Sequence, residues 1–208
     1  TKLNIIVTKR GETIRFAFED TTPLLRDKPL SSLLRIGGNA RGTGGTFTAG
    51  TGTVEWYAGG AQTCAGVTYN NLTLSGSGAK TVTGATINGI LSREGTATAA
   101  GTTPTYGAAA TLQYIGSAAQ TTGIEFPATF NGTGGIIINN LSGVNLSNSV
   151  AINNTLTLTS GTFSVGANTL TLNGPTIAGT PSNLTTTGSS SLVFGGTSSG
   201  VLIPASVS

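Results

Sequence analysis

The sequence predicts an all-β chain. The expected architecture is a parallel β-helix or β-solenoid-like repeat body behind a small N-terminal β-hairpin head. Three observations carry this. From Gly42 onward, short runs in which apolar residues alternate with Thr, Ser or Asn are separated by Gly and Asn, the period-2 pattern of half-buried strands. Charged residues make up only 8% of the chain, against about 25% in ordinary soluble domains. Sequence elements also recur in a conserved order, the mark of a repeat architecture. A tandem β-sandwich with evenly spaced strands is the alternative that gives the same strand pattern.

Taken in order, residues 1–41 form the head. Leu3, Ile5 and Val7 alternate with polar residues, Lys9-Arg10-Gly11-Glu12 supplies a turn, and Ile14, Phe16 and Phe18 alternate again; together they predict a hairpin with one apolar face. Pro23 and Pro29 punctuate the chain, and Leu30 to Ile36 fits either a short helix or a covering strand. Residues 42–208 form the body. Thr53-Val54-Glu55-Trp56-Tyr57, Leu72-Thr73-Leu74, Ile87-Asn88-Gly89-Ile90-Leu91, Leu156-Thr157-Leu158 and Leu170-Thr171-Leu172 each suit a strand with one buried face and one Thr-covered face. No amphipathic helix is expected after residue 42.

The repeats work at two scales. Val54-Glu55-Trp56-Tyr57 followed by Ala61-Gln62-Thr63 recurs as Leu112-Gln113-Tyr114-Ile115 followed by Ala119-Gln120-Thr121, with a third start at Leu192-Val193-Phe194. Asn70-Asn71-Leu72 recurs as Asn139-Asn140-Leu141, and Ile87-Asn88-Gly89 as Ile152-Asn153-Asn154. Within the second unit, Leu141, Leu156, Leu170 and Leu184 stand 15, 14 and 14 positions apart, each preceded by Asn or Asn-Thr. The expectation is that these leucines mark successive coils, with aliphatic ladders inside and Asn or Thr ladders at the corners.

Charge is unevenly spread. Eight of the ten Lys and Arg lie between Lys2 and Arg41, and no charged residue follows Glu125. The head mixes both signs, so it lacks the one-signed, aromatic-interleaved footprint of a nucleic-acid binder. The longest apolar stretches, such as Gly135-Ile136-Ile137-Ile138, are far too short for a membrane span. No signal peptide is visible and the chain has no Met, which reads as a mature product or a fragment. Gly37-Gly38-Asn39-Ala40-Arg41-Gly42 lacks the Gly-Lys-Thr ending of a phosphate loop and reads as a linker.

Two segments, Thr68-Tyr69-Asn70-Asn71-Leu72-Thr73-Leu74-Ser75-Gly76 and Ala151-Ile152-Asn153-Asn154-Thr155-Leu156-Thr157-Leu158-Thr159-Ser160-Gly161-Thr162-Phe163, resemble the repeats of large secreted surface proteins of the Bacteroidota, and more loosely those of filamentous-haemagglutinin-type adhesins. The likeness covers residues 47–203. It implies export, surface display, and adhesion or fibre formation.

No catalytic, cofactor-binding or metal-ligating residues are expected. The chain has no His, which removes the commonest general base and metal ligand. Glycoside hydrolysis needs two carboxylates facing the bond; Glu55 and Glu125 occupy related units, and both read as exposed strand residues. No Asp follows Asp27, so calcium-binding Gly-rich repeats are absent. Cys64, the single cysteine, reads as a small buried apolar side chain. Six N-x-[ST] triplets, at Asn71, Asn131, Asn140, Asn145, Asn153 and Asn183, read as chance or as corner-ladder Asn, with glycosylation as the alternative.

The function expected is therefore that of a non-enzymatic extracellular structural protein, a cell-surface adhesin or self-assembling fibre subunit. Its partners would be further copies of itself or surface glycans, with no nucleic acid and no membrane span. Two alternatives stand beside it. Ice binding rests on Thr-x-Thr pairs starting at Thr46, Thr81, Thr96, Thr155, Thr169 and Thr185. Carbohydrate binding rests on Trp56, Tyr57, Tyr69, Tyr106 and Tyr114, although Trp56 and Tyr114 hold matching repeat positions, which suggests core packing.

Overall fold

A computed structural model describes residues 6–10, 13–17, 33–39, 50–116, 118–174, 176–196 and 203–207. The chain is a parallel β-solenoid of about eight turns. Its spine is one eight-stranded sheet whose rungs run in chain order: Leu33–Ile36, Thr53–Trp56, Asn71–Leu74, Ile90–Glu94, Thr111–Gly116, Gly135–Asn140, Leu156–Ser160 and Ile177–Gly179. These rungs open coils one to eight. From coil two onward each rung is followed by two further strands on a second and a third face, for example Ser77–Thr81 then Thr86–Ile87 in coil three, and Phe163–Ser164 then Thr169–Leu172 in coil seven. Every pairing between these coils is parallel and in chain order, as between Leu72 and Leu91 or Leu156 and Ile177. That pattern excludes the tandem sandwich, whose sheets are antiparallel. The only helical element among the described residues is a three-residue 3-10 turn, Pro181–Asn183.

The head hairpin is present: Ile6–Arg10 pairs antiparallel with Thr13–Ala17, with Val7 opposite Phe16 and Arg10 opposite Thr13. The open choice for Leu30 to Ile36 resolves as a strand. Leu33–Ile36 pairs parallel with Thr53–Trp56, so the long sheet begins on the head side of residue 41.

Coil length, not the 14-residue beat, sets the register. The inward column Val54, Leu72, Leu91, Leu112, Ile136, Leu156, Ile177 is paired rung to rung, with 18 to 24 positions between successive members. The leucine series chosen from the sequence does not form a ladder. Leu156 lies on the long sheet, Leu170 on the third face and Leu184 on the second, while Leu141 is 78% exposed at a corner. Each face contributes its own inward leucine, so a chain of about two-thirds of a coil separates leucines that point into one core without stacking on each other.

The longer repeat is real in part, and it equals three coils. Val54 and Leu112 share one column, three pairings apart. Ile87 and Ile152 both lie in the third-face column. Two matches fail. Ser191–Phe194 is a third-face strand paired to Thr169–Leu172 and does not start a new long-sheet unit, and Leu72 is fully buried where Leu141 is exposed.

The low charge content follows from the geometry. Parallel stacking places equivalent side chains of successive coils about 4.8 Å apart, where like charges in one column repel and neutral polar side chains hydrogen-bond. Corners turn on glycine: Gly76 and Gly95 have positive φ, and a Cβ on Gly95 would sit 2.7 Å from the Gly76 carbonyl oxygen. A corner ladder of asparagine stands where the third face returns to the spine, through Asn131, Asn153 and Asn173 and not through the asparagines that precede the leucine series. Asn153 Nδ2 donates to Asn131 Oδ1 at 2.6 Å, and Asn173 Nδ2 donates to Asn153 Oδ1 at 2.7 Å.

Candidate functional site

Six charged residues fall among those described beyond residue 33: Arg35, Glu55, Lys80, Arg93, Glu94 and Glu125. The fold divides them into an outer group on the spine and an inner group.

The outer group begins at Arg35 and Glu55, paired in register on adjacent rungs. Arg35 Nε reaches Glu55 Oε2 at 2.6 Å and Ser75 Oγ donates to Glu55 Oε1 at 2.6 Å. Partial burial pushes the Glu55 carboxyl up, but the hydrogen bonds from Arg35 and Ser75 outweigh it and hold the group below the usual carboxylate range. The Arg35 guanidinium also lies 4.5 Å over the Tyr57 ring. Glu94 accepts from Ser92 Oγ at 2.9 Å.

The inner group overturns one expectation. Glu125 is fully buried, not an exposed strand residue. It belongs to coil five, where 24 positions separate Leu112 from Ile136, and the extra residues carry Glu125 inside the coil. Its partner Arg93 occupies the inward column that otherwise holds Trp56, Leu74, Tyr114, Ile138 and Leu158. Arg93 Nη1 meets Glu125 Oε1 at 2.6 Å and Thr121 O at 2.7 Å, while Nη2 donates to Ala97 O at 2.8 Å. Tyr114 OH and the Gly123 amide each donate to the same Glu125 oxygen at 2.9 Å. Tyr106 OH donates to Glu125 O at 2.6 Å. Glu125 Oε2 is buried without a partner. The pair lies where the second and third faces each split into a three-stranded sheet and a four-stranded sheet, between coils four and five. A buried charge is tolerable only when paired and hydrogen-bonded, and the pair here ties the two blocks together across that break.

Three side chains serve a similar end where the spine turns into the second face. Gln62 Nε2 donates to Ile36 O and Gly38 O, Lys80 Nζ to Ala58 O and Gly60 O, and Gln120 Nε2 to Gly95 O. Each binds carbonyls of the preceding coil, and two of these, Ile36 O and Ala58 O, also accept a backbone amide. Burial lowers the Lys80 pKa. Sequence reading missed this role; the recurrence of Gln62 as Gln120 was its visible trace.

Glu55 lies on the outside of coil two and Glu125 inside coil five, so the two carboxylates are not brought to one site. Among the described residues no cluster of three or more His, Cys, Asp or Glu is placed to hold a metal ion, and no helix is long and apolar enough to cross a membrane. No family model, curated protein or solved structure matches the chain.

The remaining candidates sort by face. Trp56, Tyr69 and Tyr114 are buried in the core, as the matching positions of Trp56 and Tyr114 suggested. Tyr106 is half-buried with its hydroxyl turned inward, and only Tyr57, 41% exposed, is presented to solvent. Cys64 is buried, and burial pushes its thiol up to about 12. Of the six N-x-[ST] asparagines, Asn131 and Asn153 stand in the corner ladder, Asn140 is fully buried and donates to Ala118 O, and Asn145 is exposed. The Thr-x-Thr pairs do not share a face: Thr96 starts a pair on the second face, Thr155 leads into the spine and Thr169 lies on the third face, and Thr46 lies outside the described residues.

Proposed function

We propose that this chain is a non-enzymatic, extracellular structural protein, a cell-surface adhesin or a self-assembling fibre subunit built from β-solenoid coils. The observation that carries the reading is the disposal of charge. Lys80, Arg93 and Glu125 are spent on internal hydrogen bonds, and Arg35, Glu55 and Glu94 stay on the spine. The outward positions described on the second and third faces are neutral, which is the arrangement of a scaffold and a contact surface. The resemblance of residues 68–76 and 151–163 to secreted surface repeats supports display outside the cell, with further copies of the chain or surface glycans as partners. Among the described residues the outer spine strands Leu33–Ile36 and Ile177–Gly179 have a neighbour on one side only, and a strand edge of that kind supports end-to-end association.

Negative-stain electron microscopy and light scattering of the purified chain test this. Concentration-dependent ordered filaments support the fibre form, and a monomer that adheres to cells or glycan-coated surfaces supports the adhesin form. A monomer that adheres to nothing, or one that turns over a polysaccharide, sinks the proposal.

A further inference from the structure

The third face carries an array of which the Thr-x-Thr motifs announce only Thr171. Its outward positions place Thr68, Thr86 and Thr105 in register on coils two to four. Thr129, Ala151, Thr171 and Val193 continue in register on coils five to eight. Tyr106 and Phe130, the inward neighbours of Thr105 and Thr129, touch edge to face with ring centres 5.0 Å apart, so the two runs abut. Two residues further along each strand stand Asn70, Asn88, Gly107, Asn131, Asn153, Asn173 and Gly195. The result is a column rich in Thr beside a column rich in Asn, with one member of each per coil and a repeat of about 4.8 Å along the axis.

We infer that this face is a binding surface for ordered water, that is, for the surface of ice. Four properties point to that ligand. The array is neutral throughout, so it matches a neutral lattice and would neither attract nor hold a charged polymer. Its asparagines are pinned: Asn153 and Asn173 each donate to the asparagine of the coil before, so these amides hold fixed positions. Threonine is stiff at χ1 and offers a methyl and a hydroxyl together, an apolar contact beside a donor-acceptor. The described aromatic rings of this face turn away from the array, since Tyr69 and Phe130 are buried in the core and Tyr106 and Phe194 pack against it. A rigid periodic array of hydrogen-bonding groups loses little entropy when water orders against it. The inference goes beyond the structural role proposed above and does not depend on it.

The test uses the full chain in a nanolitre osmometer, with thermal hysteresis and the shape of a single ice crystal as readouts. The wild-type chain is expected to halt or facet ice growth. Thr105→Tyr and Thr129→Tyr, which place a bulky ring in the array, are expected to abolish the effect. Thr63→Tyr and Thr121→Tyr on the second face should leave it intact. Far-ultraviolet circular dichroism and the melting temperature of each variant separate loss of the face from loss of the fold. Absence of hysteresis and faceting in the wild-type chain overturns the inference, as does equal loss in folded variants of both faces. Retention by an insoluble polysaccharide without any effect on ice reassigns the face and overturns it equally.

Discussion

At the scale of single residues, the interior of this solenoid shows what it takes to keep a charge inside a stack of uncharged strands. Arg93 sits in a column of aromatic and aliphatic side chains, and Glu125 is delivered to it by the longest interval between paired rungs. Removing one partner leaves the other buried and uncompensated. Glu125→Gln is therefore expected to lower stability by about 3–5 kcal/mol, measured by urea denaturation. The double variant Arg93→Met with Glu125→Gln should recover part of that loss, because no ion then remains in the core. Cys64 offers a second check. With its thiol raised to about 12 and its side chain buried, it should be unreactive towards a thiol reagent at pH 8 and react at once in denaturant. The sign of its linkage is fixed: a raised native pKa contributes stability below the unfolded thiol's value, and that contribution is lost as pH rises from there towards about 12. Stability of wild type should thus fall more steeply across that window than stability of Cys64→Ala.

At the scale of elements, the unit is the column and not the strand. Most second- and third-face strands are two to five residues long, too short to hold alone, and they persist because each is paired above and below. Leu91 is fully buried between Leu72 and Leu112. Leu91→Ala should cost about 2–5 kcal/mol, whereas Asn153→Ala, at an exposed corner where water replaces the lost bonds, should cost only about 0.5–1.5 kcal/mol. The break in the second and third faces between coils four and five divides the stack into two blocks. Repeat stability is a sum of local terms and neighbour interfaces, so weakening that interface should uncouple the blocks. In Glu125→Gln the denaturation curve is expected to broaden or split into two transitions, while Leu91→Ala, within one block, should shift the curve without splitting it.

At the scale of the whole molecule, the uneven distribution of charge has a simple proteolytic signature. Beyond Arg41 the sites for trypsin are Lys80 and Arg93 alone, and both are fully buried. Limited trypsin digestion should leave a resistant fragment containing residues 42–208. Early cleavage after Lys80 or Arg93 would mean that the coils open under native conditions.

The sequence by itself determined the local rules. Period-2 alternation gave strands with one inward face, as at Val54 and Trp56, and the matched positions of Trp56 and Tyr114 placed both in the core. The scarcity of charge indicated a β-rich surface covered by Thr, Ser and Asn, and the recurrence of leucine beside asparagine indicated stacked coils, although those leucines do not stack on one another. Tertiary structure alone decided the register and the sites. A leucine every 14 residues looks like a ladder, yet whether two leucines stack depends on how much chain the corners consume, and corner length leaves no periodic trace. Glu125 reads as a surface residue because nothing local marks a loop that folds inward, and its burial is set by Arg93, 32 positions earlier. The third-face threonines are likewise scattered along the chain and become one array only when the coils close, because lateral distance in a solenoid is fixed by the backbone ladder between coils and not by separation in sequence.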